Sequence, residues 1–480
     1  MFSLRTFLAI IGSSLSLLAQ TARPNVLFIA VDDLRTELGC YGADHIISPN
    51  IDRLAETGTR FERAYCMVPT CGASRASLMS GLRPTPERFV SFTARIDEEA
   101  KDIIPLHTHF KNNGYRTISL GKILHFPADS PEGWSEPAWR PDRSFRAESE
   151  SIIGWPAPPN LNELNAQSRN HRLPFASFDT DDDSLGDGLV AAEAINQLQD
   201  LANQDKPFFL AVGFFKPHLP FNAPKKYWDL YKDTPIDLPE NYYPPKDAPK
   251  EAIHNFGELR SYTGVPKTGP VSDEMARTLI RGYYACVSFA DAQIGRVLNE
   301  LDRLGLSENT IVVLWGDHGW NLGEHTLWCK HCTFENSMHA PLIIRTPKQM
   351  ANRRGNHTDA LAEYIDIYPT LCELTGLEKP DHLEGESLLP ILNEPARSGK
   401  GFAIGRFRNG DTIRTDQWRY TEYTSAEDHG NGQTIARMLY NHNSDPEENF
   451  NLASNPKYKD VLEKLSRNLN RLKGRPSKSQ

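Results

Sequence analysis

Four short runs of apolar residues stand out along the chain, and each is rich in β-branched or aromatic side chains. Continuous runs of this length are typical of strands that are buried on both faces of a parallel sheet. The predicted strands cover residues 25–31, 116–120, 208–214 and 310–315.

Helical patterns separate these runs. Residues 187–201 and 274–304 carry apolar side chains at helical spacing, as at Ala290, Ile294 and Val297. Alternation of buried strands with amphipathic helices predicts an α/β fold in which helices sandwich a large, mostly parallel sheet.

The pattern changes in two loops and again near the end of the chain. Residues 127–183 and 231–270 are rich in proline and polar residues, which predicts long loops over the sheet, where substrate specificity usually resides. The stretches GFAIGRF, DTIRTDQWRYTEY and ARMLYNH predict short antiparallel strands, followed by a terminal helix over residues 457–473. We therefore expect a large catalytic domain over residues 23–384 and a smaller C-terminal α+β subdomain over residues 385–480.

The first 22 residues have the form of a secretory signal peptide. Arg5 precedes an apolar stretch over residues 7–18, and small residues follow it. An uncleaved membrane anchor is the alternative, although the stretch is shorter than the roughly 20 residues that a span requires. We expect an exported bacterial protein, periplasmic or secreted, without stable membrane insertion.

Charge and cysteine content narrow the function classes. The 480 residues carry a formal net charge of -9, which gives no support to nucleic-acid binding. Seven cysteines are too few and too scattered for a disulfide scaffold. Cys329 and Cys332 have C-x-x-C spacing without a second pair, so they indicate packing or a local disulfide. Cys71, just ahead of a small-residue turn and a helical run, is the candidate for chemistry.

Polar side chains follow all four predicted strands, where the carboxyl ends of a parallel sheet bind ligands. Any single pair would more often be a helix cap or a structural histidine, but four strands in succession indicate a site. The residues concerned are Asp32, Asp33, Lys122, His125, Lys216, His218, Asp317 and His318.

These residue types suit transfer of a tetrahedral anion. Carboxylates at positions 32, 33 and 317 favour a hard divalent cation, whereas the imidazole of His318 suits Zn²⁺ or Mn²⁺, so ligand chemistry alone leaves the metal open. Lysines and histidines, among them Lys330, would neutralise a phosphoryl or sulfuryl group during transfer. A soft thiolate beside a hard cation is chemically awkward, which indicates that the Cys71 thiol is not the working form.

The segment CGASR, followed by ASLMSG and RPT, resembles the type I sulfatase signature C-x-P/A-S-R. In that family the cysteine is converted to Cα-formylglycine. The resemblance extends from about residue 23 to residue 392, with a weaker C-terminal match, and it implies the alkaline phosphatase/sulfatase fold. Within the family, the sequences most similar to this chain are those of the iduronate-2-sulfatase group and its bacterial relatives. The segments that carry this similarity are DDLR, VGFFKPHLPF, GDHGWNLGEH and RTDQWRYTEY.

The resemblance implies a role for each matched residue. The hydrated aldehyde at position 71 attacks sulfur through one hydroxyl, and its second hydroxyl then expels sulfate. Calcium would be bound by Asp32, Asp33, Cys71 in its modified form, Asp317 and His318, where many sulfatases have asparagine instead of the histidine. Arg75 would position the diol, Lys122 and Lys330 would hold sulfate oxygens, His125 would be the base and His218 the acid.

The resemblance also implies partners. Ala73 stands where proline is commoner, so either a formylglycine-generating enzyme or a radical-SAM maturase is expected to act on Cys71. The expected substrate is a sulfated polysaccharide or oligosaccharide, cleaved at a 2-O-sulfate on a uronic acid. Candidate sugar contacts, each with packing or a structural charge as the alternative, are Trp320, Trp328, His331, Arg35, Lys216 and Arg414.

Two other functions stay open on the sequence alone. A phosphonate or phosphodiester hydrolase of the same superfamily would share the metal site. A non-catalytic glycan-binding relative is disfavoured, because every expected catalytic position is occupied.

Overall fold

The computed structural model describes residues 23–141, 173–352, 354–425 and 432–473. The predicted signal peptide lies outside these residues, and so does part of the first long loop. Within the described ranges, no helix combines the length and the apolar character needed to cross a bilayer.

Fifteen strands occur in the described residues, and their labels follow chain order. They are β1 Asn25–Val31, β2 Thr59–Tyr65, β3 Arg116–Gly121, β4 Phe175–Phe178, β5 Phe208–Phe214, β6 Phe221–Pro224, β7 Thr310–Gly316, β8 Asn321–Leu322, β9 Trp328–Cys329, β10 Leu342–Arg345, β11 Asn356–Glu363, β12 Ala403–Phe407, β13 Gly410–Arg414, β14 Trp418–Thr424 and β15 Thr434–Asn441.

The α-helices range from single turns to one of 31 residues. Those in the described part of the chain are Pro49–Ala55, Cys71–Ser80, Ile96–Glu99, Leu106–Asn112, Gly186–Leu201, Lys225–Asp229, Gly257–Arg260, Asp273–Arg303, Glu335–Met338, Pro347–Asn352, Ile367–Thr375, Leu389–Asn393 and Lys459–Lys473.

Seven strands form the main sheet in the order β11-β2-β10-β7-β1-β5-β3. β10 is antiparallel to both of its neighbours, and the other pairs in the sheet are parallel. The prediction of a large, mostly parallel sheet is confirmed.

All four strands predicted from the apolar runs are present, and they are neighbours in the order β7-β1-β5-β3. Their parallel register brings the ends together, since Val31 lies opposite both Phe214 and Gly316, and Gly121 lies opposite Gly213. The polar residues that follow these strands therefore meet at one edge of the sheet.

Helices cover both faces of this sheet. Alternate side chains of β1 enter two separate cores, with Leu27 and Ile29 on one side and Val26 and Phe28 on the other. The first core includes residues of the helices Gly186–Leu201 and Asp273–Arg303, and the second includes residues of Cys71–Ser80 and Ile367–Thr375. Burial on both faces explains why β1 is apolar throughout.

A second, antiparallel sheet follows in the order β12-β13-β14-β15. The helix Lys459–Lys473 buries Leu465, Leu469 and Leu472 against it. Its strands and helix lie close to the predicted positions, so the predicted α+β character is confirmed. The predicted boundary at residue 384 stays a prediction.

Glu363, at the end of β11, links the two sheets. Arg83 donates two hydrogen bonds of 2.5 Å to its carboxylate, and Lys400 forms an ion pair with it. The backbone N–H of Ile404 in β12 also donates to Glu363, at 2.8 Å. One buried carboxylate therefore joins the main sheet to the first strand of the second.

The loop over residues 231–270 contains the single-turn helix Gly257–Arg260. Arg260 fastens it by donating to the carbonyl oxygens of Asn255 at 2.8 Å, Gly269 at 2.7 Å and Pro266. The loop is therefore stabilised by its own hydrogen bonds. It brings the helix Gly257–Arg260 into contact with β9.

The seven cysteines are free thiols. Cys329 and Cys332 are both buried and form no disulfide, so packing is the interpretation that the structure supports.

Candidate active site

Cys71 is the first residue of the helix Cys71–Ser80, in which every residue is buried. Thr70 before it is extended, so the chain turns sharply into the helix at this point. Gly72 allows the backbone of Phe92 to approach this helix closely, because a Cβ atom at position 72 would collide with the carbonyl oxygen of Phe92. The unpaired N–H groups of a helix start favour negative charge, so residue 71 lies where a developing anion is stabilised.

Carboxylates and an imidazole surround the Cys71 sulfur. The Sγ atom lies 3.3 Å from Nε2 of His318 and 3.9 Å from Oδ1 of Asp33. The possible ligand atoms form two groups that share Cys71, one with Asp32, Asp33 and His218 and one with Asp317 and His318, and within each group they lie within 4.8 Å of one another. The structure thus brings together all five residues predicted to bind the metal.

His318 has one ring nitrogen directed into this cluster. Its Nδ1 lies 2.9 Å from the carbonyl oxygen of Gly319, which can only accept, so Nδ1 carries the proton of the neutral ring. Nε2 then presents a lone pair, 3.3 Å from Asp33 and 3.6 Å from Asp317. A hydrogen bond of this kind orients a ligating histidine. Three carboxylates and one imidazole fit a divalent cation, and the excess of oxygen favours a hard one.

Arg75 joins two of the carboxylates. Its Nε donates to Asp317 and its Nη2 to Asp32, both at 2.9 Å, and the whole side chain is buried. Nη1 donates to the carbonyl oxygens of Ile123, at 2.9 Å, and of Lys122. Arg75 thereby fixes the positions of the carboxylates and of the segment that follows β3.

The two predicted sulfate-binding lysines pair with different aspartates. Lys122 contacts Asp32, and Lys330 lies 3.1 Å from both oxygens of Asp33. Burial alone would lower the pKa of Lys330, but the charges of Asp33 and Glu258 outweigh it and raise the pKa well above its usual value. Lys330 is therefore a permanent cation beside residue 71.

The buried carboxyls differ in their proton affinity. Burial, opposed by the charge of Lys330, raises the pKa of Asp33 to about 7. For Asp32, burial is outweighed by Lys122 and Arg75, which hold the pKa of that carboxyl well below its usual value. Burial and the charge of Asp32 raise the pKa of the Cys71 thiol, so the unmodified thiol stays neutral and is a poor nucleophile.

His218 also has a defined orientation. Its Nδ1 lies 2.5 Å from the carbonyl oxygen of Leu219, so the neutral ring is protonated there and Nε2 is the atom that gains or releases a proton. Nε2 lies 3.0 Å from Oε1 of Glu258 and 3.7 Å from Asp33. Burial, together with the charge of Lys330, lowers the pKa of His218.

His125 lies on the other flank, next to aromatic rings. Its ring centroid is 5.9 Å from that of Phe92 and 4.9 Å from that of Phe126. The buried Nδ1 has no hydrogen-bond partner among the described residues. Burial and the charge of Lys122 lower the pKa of His125 well below its usual value, so the ring is neutral and able to accept a proton.

Sequence reasoning missed Glu258. Its carboxylate lies 3.0 Å from Lys330 as well as from His218, which places it inside the site. Glu258 follows no strand and belongs to a polar loop, so nothing in the local pattern distinguishes it from solvent-exposed acidic residues. Only the fold of residues 231–270 reveals it.

The predicted aromatic sugar contacts are packing residues in this structure. Trp320 and Trp328 are 1% and 2% exposed, too little for either ring to stack on a sugar. Trp320 lies beneath the ammonium group of Lys330, 4.8 Å from its ring centroid. His331 is partly exposed and stacks on Phe407, with ring centroids 5.6 Å apart.

The three cations considered for carboxylate recognition are engaged within the protein. Arg35 contacts Glu324 at 2.8 Å, and Lys216 donates to the backbone carbonyl of His218 at 2.9 Å. Arg414 contacts Glu335 at 3.3 Å and is buried. These contacts favour the structural alternative for all three.

Comparison with family models agrees with this site. Residues 24–377 match the model described as sulfatase, and residues 323–475 match the model described as N-sulphoglucosamine sulphohydrolase, C-terminal. The first match contains the whole of the cluster around Cys71.

Curated relatives are similar over most of their length. A sulfatase of Formosa agariphila is 33% identical over 455 residues, which are 92% of this chain and 85% of the relative. The human iduronate 2-sulfatase is 33% identical over 404 residues, 77% of this chain and 72% of the relative. Resemblance to the iduronate-2-sulfatase group is thereby confirmed.

Solved structures show the same fold. The phosphonate monoester hydrolase of Agrobacterium radiobacter aligns with a TM-score of 0.74 at 23% identity, covering 94% of this chain and 95% of that one. A protein solved with its substrate D-glucosamine-2-N,6-O-disulfate aligns with a TM-score of 0.73 at 21% identity, covering 95% of this chain and all of that one. The fold is therefore that of the alkaline phosphatases and sulfatases. Because the sulfatase family model and these relatives match most of the chain, the chain belongs to the sulfatase family, the enzymes that hydrolyse sulfate esters.

Proposed function

We propose that this sulfatase acts on a sulfated glycan and removes a 2-O-sulfate from a uronic acid, with residue 71 working as formylglycine. One observation carries the catalytic part of the proposal. Cys71 begins a buried helix, and its Sγ faces His318 at 3.3 Å and Asp33 at 3.9 Å, with two lysines and Arg75 around the same carboxylates. Such an arrangement combines a nucleophile position, a cation site and groups that neutralise an anion.

The modified residue and the metal supply what the unmodified chain lacks. Calcium, held by Asp32, Asp33, Asp317 and His318, would activate an oxygen nucleophile, and the hydrated aldehyde would provide that oxygen together with a second hydroxyl that releases sulfate. A neutral buried thiol offers neither function. Arg75 keeps the carboxylates in place, and Lys122 and Lys330 attract and hold the sulfate oxygens.

Two histidines move protons at different stages. His218 presents Nε2 to the site, 3.0 Å from the Glu258 carboxylate that favours a protonated ring, and we assign to it the protonation of the departing sugar oxygen. His125 is neutral and lies on the opposite flank, so it accepts the proton from residue 71 when sulfate is released.

An exposed cation near the site supports a uronic acid substrate. Arg408, in the β12–β13 turn, has no ion pair among the described residues, and its guanidinium lies 5.3 Å from the ring centroid of Phe407. Phe407 stacks on His331, which follows Lys330. Burial and the charge of Arg408 lower the pKa of His254 to about 4. Because His254 and Glu258 belong to the same loop, Arg408 lies close enough to act electrostatically on that loop. Arg408 is a suitable partner for the sugar carboxylate.

Maturation must precede folding. Cys71 is 3% exposed and the helix that follows it is buried, so no enzyme can reach the signature in the folded chain. A formylglycine-generating enzyme or a radical-SAM maturase would therefore act on the unfolded segment. The protein itself is proposed to be exported to the periplasm or to the medium.

Rates on matched substrates test this function. We expect hydrolysis of a 2-O-sulfated uronic acid glycoside and of 4-nitrophenyl sulfate, and much slower hydrolysis of the corresponding phosphate and phosphonate esters. Cys71→Ala, which retains the fold but has no nucleophile, should lose this activity. Faster turnover of phosphonate esters would instead identify the alternative, which at present is supported by fold similarity alone.

A further inference from the structure

Glu258 places a negative charge beside the group proposed to protonate the leaving sugar oxygen. Its Oε1 lies 3.0 Å from Nε2 of His218, and its Oε2 lies 3.0 Å from Nζ of Lys330. The metal cluster contains Asp32, Asp33 and Asp317, so Glu258 is a fourth acidic group that the reaction does not use.

The position of Glu258 is fixed by its loop. Arg260, two residues later, donates to three carbonyl oxygens of the same loop, and its guanidinium stacks on Phe256 at 3.8 Å from the ring centroid. The Glu258 side chain is only 17% exposed. A bound sugar therefore meets this carboxylate as a fixed part of the wall.

We propose that Glu258 is a specificity-determining residue that accepts a hydrogen bond from the hydroxyl next to the scissile sulfate and rejects substrates in which that neighbour is also sulfated. This inference rests on the proposed function and identifies the substitution pattern that the site accepts.

Nε2 of His218 lies next to Glu258 and is also the atom that the leaving sugar oxygen must reach. The leaving oxygen must come within hydrogen-bond distance of His218 Nε2, and Oε1 of Glu258 is already within that distance of the same atom. Oxygens on adjacent sugar carbons lie within hydrogen-bond reach of each other. The neighbouring substituent is thus brought to the Glu258 carboxylate whenever the leaving oxygen is placed for protonation.

A hydroxyl and a sulfate on the neighbouring carbon have opposite effects on binding beside Glu258. A hydroxyl donates a charge-assisted hydrogen bond to the carboxylate. A second sulfate has no donor, and it would place its charge against Glu258, where juxtaposed like charges are strongly unfavourable. Lys330 does not compensate, because its ammonium group, which contacts Asp33 and Glu258, is assigned to the oxygens of the sulfate that is transferred. For a 2-O-sulfated uronic acid, the hydroxyl concerned is on C3.

The test compares two substrates that differ only at this neighbour, a 2-O-sulfated uronic acid glycoside with a free 3-hydroxyl and its 2,3-di-O-sulfated counterpart. We expect wild-type kcat/KM to favour the first by on the order of 100-fold. In Glu258→Gln, which keeps the shape and removes the charge, the preference should fall at least about tenfold. Glu240→Gln, at an exposed position of the same loop, is the matched control and should keep the wild-type preference.

A preference unchanged in Glu258→Gln would overturn the inference. If that variant is inactive, calorimetric binding of both substrates to Cys71→Ala and to Cys71→Ala/Glu258→Gln decides, and equal selectivity in the two proteins overturns it. Turnover of 4-nitrophenyl sulfate, which has no neighbouring hydroxyl, reports the chemistry separately. Absence of any wild-type sulfatase activity would refute the proposed function, while the binding comparison would still decide the role of Glu258.

Discussion

The two histidines of the site differ in what surrounds them. His218 has Nδ1 fixed by a backbone carbonyl and Nε2 beside Glu258, which also contacts Lys330. The ring of His125 instead neighbours the aromatic rings of Phe92 and Phe126. Different surroundings at the two residues predict different kinetic defects.

Loss of His218 should depend on the leaving group. His218→Ala should slow hydrolysis of sugar sulfates by about 100-fold or more, because a sugar alkoxide needs a proton to depart. An aryl sulfate should be affected much less, since its phenolate leaves unaided. Steady-state kinetics on both substrates measure the difference, and equal losses would show that His218 is not the acid.

Loss of His125 should affect a later step. In His125→Ala, sugar and aryl sulfates should be slowed alike, and the sulfated form of residue 71 should accumulate because its release lacks a base. Intact-protein mass after rapid quenching would show the added sulfate. Absence of that species, with turnover rates close to wild type, would contradict the assignment of His125.

At the residue scale, the sequence predicts those site residues that directly follow a buried strand. Asp32, Asp33, Asp317 and His318 meet because neighbouring parallel strands end at one edge, which their apolar runs predict. Glu258 was not predictable, because a loop has no period and its contact with His218 depends on how residues 231–270 fold. The tryptophans were candidates by position alone, and their burial could not be read from position.

Elements differ in how strongly the sequence predicts them. β1, β3, β5 and β7 were predictable because burial on both faces makes them continuously apolar. β2 was not predicted, because three of its seven residues are partly exposed and it carries charged side chains. Its place between β11 and β10 depends on pairing between distant segments, which a local pattern does not report.

Glu363, which joins the two sheets, gives a prediction at the element scale. Burial alone would raise its pKa, but Arg83 and Lys400 outweigh burial and lower it to about 2, below the ordinary value of 4.5. A depressed carboxyl pKa stabilises the fold above pH 4.5, and that stability is lost as the pH falls toward 2. Glu363→Gln should therefore lower the free energy of unfolding at pH 7 by about 3 kcal/mol, because the partly buried Arg83 loses its carboxylate partner and Lys400 retains only Asp366.

Urea unfolding at several pH values measures this effect. Between pH 5 and pH 3 the free energy of unfolding should fall less steeply in Glu363→Gln than in the wild type. Glu373→Gln is the control, since Glu373 is a partly exposed carboxylate on a nearby helix and its loss should change little. Equal unfolding free energies for wild type and Glu363→Gln would contradict the role of this contact.

At the scale of the whole molecule, the proposed metal site joins elements that are far apart in the chain. The ends of β1 and β7 and the start of the helix Cys71–Ser80 meet at the carboxylates, so cation binding should stabilise the entire catalytic domain. Chelation should lower the melting temperature and abolish activity. Calcium at about 100 times its Kd should restore about 2.7 kcal/mol of stability.

Differential scanning fluorimetry and metal analysis test that prediction. Stoichiometric zinc in active protein, with calcium unable to restore activity after chelation, would contradict calcium as the resident ion. Asp317→Asn should weaken the response to calcium. Asp416→Asn, at an exposed position in the turn between β13 and β14, should leave that response unchanged.

The central claim is that residue 71 is an aldehyde in the active enzyme, and peptide mass tests it most directly. Trypsin should release residues 64–75, a peptide that contains Cys66 as well as Cys71, so Cys66 provides an internal control for thiol alkylation. In active protein we predict the loss of one sulfur and two hydrogens and the gain of one oxygen at residue 71, with a single alkylation at Cys66. Fully active protein in which both residues are alkylated as cysteine would contradict the account.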